Sequence, residues 1–195
     1  MSNSHKKDLV TVIRKLQTII SVVLFFVITI FCLNVTDFKL GDIQLSEWGG
    51  SNLPTTHVWN GLVSILSISI LFNTLIFIKK HVRLQYKTIP YVLFSILSLC
   101  LLTLAIFNLE HKPIHNIAAY IYFFLYPLSI FVMAYLNRKT LRYKEWFTHL
   151  MFSIIMMVLP LTCTTIFKGM AVAEIAHIVI VSTWNLYVAF KKFLI

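Results

Sequence analysis

Six apolar runs, at about 17–34, 58–78, 89–108, 114–136, 146–167 and 173–190, take up most of this chain. Each approaches or exceeds the roughly 18 to 20 residues with which a helix crosses the hydrocarbon core of a bilayer. Composition agrees, with 58% of residues hydrophobic and 12% charged, where a soluble domain carries about half and a quarter. A water-soluble domain is therefore excluded. The expected fold is all-α, a polytopic bundle of six transmembrane helices, with residues 1–195 forming a single integral membrane domain. The first run follows Lys6, Lys7, Arg14 and Lys15 and leaves through Cys32, Asn34, Val35 and Thr36. That exit does not resemble a signal-peptidase site, so the run is read as an uncleaved first span.

The formal net charge is +10, which in a soluble chain would suggest nucleic acid. Its distribution gives a different reading. Of the 17 Lys and Arg residues, 14 fall in the N-terminal tail, after span two (Lys79, Lys80, Arg83, Lys87), after span four (Arg138, Lys139, Arg142, Lys144) and at the end (Lys191, Lys192). Only Lys39, Lys112 and Lys168 fall on the other side. Cytoplasmic loops concentrate Lys and Arg, so the expected topology is N-in and C-in, multi-pass in the cell membrane. Attraction to anionic headgroups accounts for the basic face, and no direct nucleic-acid partner is expected. Membrane lipids are the expected partners, with a homo-oligomer or a cytosolic protein at the basic face as further candidates.

The three cysteines, Cys32, Cys100 and Cys163, lie in apolar runs without a CxxC spacing, as packing residues do. Pro90 and Pro113 stand near helix starts, while Pro127 and Pro160 lie inside spans four and five and should kink them. Trp59 and Trp146 fall where interfacial belt residues are expected. With five glycines and no GxxxG, the helices should pack through larger side chains and hydroxyls. Serines of span two and threonines of span five suit such contacts, and His149, Ser153, Pro160 and Thr164 share one side of span five.

Polar side chains at membrane depth are costly and should face the bundle interior, which makes each a candidate site residue. The outer half concentrates them. His57 and Asn60 open span two, Glu110, His111 and His115 surround the start of span four, and Glu174 and His177 open span six. The longest loop, about 35–56, adds Glu47 and Trp48. Glu174 and His177, three apart, share a helical face, and this Glu-x-x-His spacing occurs among metal ligands of helical bundles. His57, His115 and His177 could together hold zinc or haem, although no HExxH or other dedicated metal motif is present. The cofactor question stays open, as does the alternative that these residues simply tie loops to helix ends. In an acid/base reading, His115 or His177 is the general base and Glu47, Glu110 or Glu174 orients it or acts as acid, histidine titrating near neutrality. His57, Asn60, His111 and Trp48 are the expected ligand-binding residues. No GxSxG, P-loop or GxGxxG occurs, so the sequence does not decide whether the protein is an enzyme.

The segment Asp42-Ile43-Gln44-Leu45-Ser46-Glu47 after span one, Asn60-Gly61-Leu62, the stretch FNLEHKPIH from Phe107 to His115, and Gly169 through Glu174 resemble the small prokaryotic membrane proteins of the domain-of-unknown-function 998 type, distantly grouped with DRAM and Sfk-type membrane proteins. The resemblance implies a six-helix fold with an outward polar cluster, at which Glu47, Asn60, His115 and Glu174 are the matching positions. It implies no established reaction. The leading expectation is binding or modification of a lipid or other amphiphile at an outward-facing polar pocket. The alternative is a non-enzymatic accessory, either a pore-forming oligomer subunit or an anchor that recruits a cytosolic partner through the basic loops.

Overall fold

A computed structural model describes residues 3–50, 53–82, 84–139 and 141–190. Arg83, Lys191 and Lys192 of the basic face lie outside the described residues. The helices are α1 (Asn3–Val35), α2 (Thr56–His81), α3 (Thr88–Ile106), α4 (Lys112–Leu136), α5 (Tyr143–Ile166) and α6 (Ala171–Phe190). All six are long and apolar enough to cross a membrane. The sequence runs predicted them to within a few residues, except that α1 begins well before its apolar stretch.

Each helix packs on its neighbour in the chain, and α6 returns to α1, so the six close into a ring; a lighter contact joins α2 to α6 across it. Lipid offers no hydrophobic drive for helices to associate, so packing and interhelical hydrogen bonds must hold the ring. Ser67 and Ser98 bond reciprocally across α2 and α3, each hydroxyl reaching the other residue's carbonyl at 2.7 and 3.1 Å. Ser21 donates to Ser69 at 2.8 Å between α1 and α2. Ser153 of α5 donates to the Pro127 carbonyl of α4 at 2.8 Å. The Trp184 indole donates to His149 at 3.0 Å between α6 and α5, and Arg14 donates to the Ala189 carbonyl at 3.0 Å, joining α1 to the last turn of α6. A cation at that position also complements the negative end of the helix dipole. Phe94, Tyr126 and Trp184 form the aromatic centre, Phe94 stacking on Trp184 at 6.1 Å and meeting Tyr126 edge-on at 5.8 Å. Outward-facing Ile68, Leu99 and Ile117 are each about 60% exposed and belong to an apolar girdle around the ring.

One end of the ring carries both described termini, and the other is covered by a cap of residues 36–50 and 53–55. The cap includes a 3-10 turn, Leu45–Gly49, in which the Glu47 carboxylate accepts the Gln44 N–H at 2.9 Å. Trp48 is fully buried, donates to Thr36 at 3.1 Å and meets Trp59 edge-on at 5.1 Å. Trp59, 5% exposed, is thus a cap-packing residue and not part of an interfacial belt. The cap is fastened to the α5–α6 connection by backbone bonds, Gly169 N–H to Gly41 O at 2.7 Å and Ala171 N–H to Ile43 O at 2.8 Å. A Cβ on Gly169 would run into the backbone of Asp42 and Ile43. Gly169→Ala should therefore lower the melting temperature in detergent by the equivalent of about 2 kcal/mol and open the cap to protease. Gly61→Ala, where a Cβ meets nothing within 4 Å, should be neutral or stabilising by up to about 1 kcal/mol. Equal melting of the two variants would refute this assignment of the cap seam.

Candidate functional site

The polar residues predicted at this end divide into two groups. His57, Glu110 and His111 are exposed at the rim. His115 and His177, only 3% and 1% exposed, turn into the bundle, and Glu174 joins them beneath the cap. Glu47 is engaged within the cap turn, and Trp48 packs. Asn60 lines the interior and donates weakly to the Gly49 carbonyl at 3.3 Å. Among the described residues no group of three or more His, Cys, Asp or Glu side chains is placed to hold a metal ion. His57, His115 and His177 accordingly do not converge as ligands. Cys32 and Cys100 are buried free thiols, and Cys163 is half-buried and free.

Two of the inward groups are oriented by backbone carbonyls. The His115 ring is bonded through Nδ1 to the Phe107 carbonyl at 2.7 Å. A carbonyl only accepts, so Nδ1 carries the proton and Nε2 is left as an acceptor. This bond exists because the chain turns between α3 and α4 through a 3-10 segment, Leu109–His111, capped by Asn108 accepting the Glu110 N–H at 3.2 Å. Pro113 then starts α4 where a missing N–H costs nothing. His177 makes the corresponding contact inside the bundle, with its ring donating to the Met156 carbonyl, while its Nε2 has no partner. Met156 stands four residues before Pro160, whose missing N–H leaves that carbonyl without its helical donor. A histidine on a neighbouring helix replaces the donor, as membrane helices require. Glu174 uses one oxygen to accept the Leu45 N–H of the cap at 2.6 Å.

His115 and Glu174 border two spaces. The first, about 110 Å³, lies inside the ring below the cap, reaching from Ser46 and Asn60 down to Ser69, Asn73 and Asn185. The second, about 330 Å³, is a cleft of α4, α5 and α6 whose deep wall adds His177 and whose rim includes Tyr120, Phe124, Met157 and Leu161. Those rim side chains all belong to the exposed apolar surface, so the cleft faces the lipid side. Four residues border both spaces: His115, Ala119, Phe123 and Glu174. Ala119, the smallest of them, separates the cleft from the interior cavity. Sequence reasoning missed Ala119, Phe123, Asn116 and Gln44 in these walls. The signal available for one link was Pro160 itself, since a proline inside a span announces a carbonyl that needs a donor from elsewhere.

Chemically, the wall offers acceptors (two imidazole Nε2 atoms and a carboxylate oxygen) next to an apolar passage. It can hold the polar end of an amphiphile or take a proton from a hydroxyl there.

The fold and this site define the class, an all-α multi-pass membrane protein with a polar wall open toward the lipid. The family model described as "Protein of unknown function (DUF998)" matches residues 18–191, and the chain belongs to that family. No curated protein and no solved structure matches it.

The carbonyl left by Pro160 makes a sharp prediction. His177→Ala should destabilise the protein by about 0.6 to 1.7 kcal/mol, and by clearly less when combined with Pro160→Ala, which restores the helical donor. Additive losses in this double-mutant cycle, read as detergent melting, would show that the histidine and the carbonyl are not coupled.

Proposed function

We propose that this protein binds a membrane lipid or similar amphiphile in the cleft between α4 and α5, with the polar group at His115, Glu174 and His177. The carrying observation is the shared wall. A polar surface that would be costly to expose to hydrocarbon lies at the back of a cleft rimmed by lipid-facing side chains, beside an interior cavity large enough to receive part of a chain. Ligand sites of this kind are concave and mostly apolar, with a few convergent polar groups. In this reading the capped end faces outside and both termini are cytoplasmic. The basic residues support that orientation: Lys79, Lys87, Arg138 and Lys144 belong to the end with the termini, and among the described residues only Lys39, Lys112 and Lys168 to the capped end. Binding thus draws from the outer leaflet.

The test is a pair of substitutions read by native mass spectrometry from mild detergent. Ala119→Phe fills the narrow point between the two spaces without adding a polar group. It should preserve folding and remove at least roughly tenfold of the retained lipid. His57→Ala, at the exposed rim, should leave retention unchanged. Lipid retained equally by wild type and Ala119→Phe would contradict the assignment.

A further inference from the structure

We infer that this wall selects amphiphiles whose polar group donates hydrogen bonds and carries no negative charge, a long-chain alcohol or amine, and rejects those headed by phosphate or carboxylate. The inference rests on the binding reading above and adds the ligand's chemical class.

The wall's own hydrogen-bonding state carries it. Both histidines spend a ring N–H on a backbone carbonyl, Phe107 for His115 and Met156 for His177. The nitrogen left over on each is an acceptor, and on His177 it is buried and unpartnered. Glu174 accepts from the Leu45 N–H with one oxygen and has the other to spare. The remaining polar side chains of the cleft, Gln44, Asn116, Tyr120 and Thr164, are neutral and can pair with a headgroup but not neutralise an anion, and the Thr164 hydroxyl is already donating to the Leu161 carbonyl at 2.8 Å. No Lys or Arg lines either space among the described residues. An anionic headgroup brought here would be desolvated beside a carboxyl group and would meet no cation, and an unpaired buried charge of that kind is costly. A hydroxyl or ammonium group meets acceptors that otherwise go without donors, and satisfying a buried acceptor is where hydrogen bonds contribute most. Most of the described basic residues stand at the other end of the bundle, and Lys39, Lys112 and Lys168 of the capped end line neither space.

The experiment uses the whole protein in phosphatidylcholine nanodiscs, offered hexadecanol, hexadecylamine, hexadecanoic acid or hexadecyl phosphate and read by native mass spectrometry after release. Hexadecanol and hexadecylamine should be retained roughly tenfold or more above the acid and the phosphate. Glu174→Gln keeps an amide oxygen for the Leu45 N–H and should lower retention of the amine by a clearly larger factor than retention of the alcohol. Retention of the acid or phosphate as good as that of the alcohol, and lost in Ala119→Phe, would overturn the selectivity while leaving the cleft as the binding site. Retention of all four by wild type no better than by Ala119→Phe would overturn the binding reading as well.

Discussion

The short seam where the cap meets the start of α6 is the contact on which the rest of the structure depends. Three bonds make it: the Gly169 and Ala171 amides to the Gly41 and Ile43 carbonyls, and the Leu45 amide to the Glu174 carboxylate. The first two fix residues 41–43 across the gap between α1 and α6, so the ring is closed at this end by backbone and not only by side-chain packing. The third turns Glu174 under the cap, where a carboxyl group on a lipid-facing surface would have been expelled or neutralised. Gly169 makes the seam possible because any side chain there would overlap the opposing backbone.

Below the seam the structure follows one rule, that hydrocarbon supplies no partners and every polar group must find its own. The serine pair of α2 and α3, the indole of Trp184 on His149, and one guanidinium nitrogen of Arg14 on the last turn of α6 obey it. His177 obeys it with one ring nitrogen, which repairs a carbonyl orphaned by Pro160, and leaves the other with nothing to bond. That residual acceptor, together with His115 and Glu174, is what makes the wall a candidate site. The same constraint that stabilises the bundle thus leaves a buried ring nitrogen without a partner in the wall of this cleft.

Much of this architecture is legible in the sequence, because apolar run length is set directly by bilayer thickness. The six spans, the helix start at Pro113, and the common face of Glu174 and His177 all follow from period and punctuation. What does not follow is helix rotation. His57 and His111 look as plausible as His115 and His177 on paper, and only packing decides that the first pair is exposed and the second buried. Trp59 sits at the depth of a belt residue but packs on Trp48, since the fold of the cap depends on contacts between distant segments. Ala119 was invisible for a related reason: a small residue matters there only because two cavities meet beside it. The family relationship adds the expectation of a shared fold, without a reaction attached to it.

The central claim is that the cleft between α4 and α5 admits an amphiphile from the bilayer to the shared polar wall. A cryo-electron microscopy map of the protein in lipid nanodiscs tests it most directly. The account predicts elongated density threading the cleft past Met157 and Leu161, its polar end at His115 and Glu174 and its chain directed toward Ala119. A closed α4–α5 seam, with lipid density only around the outer girdle, would contradict it.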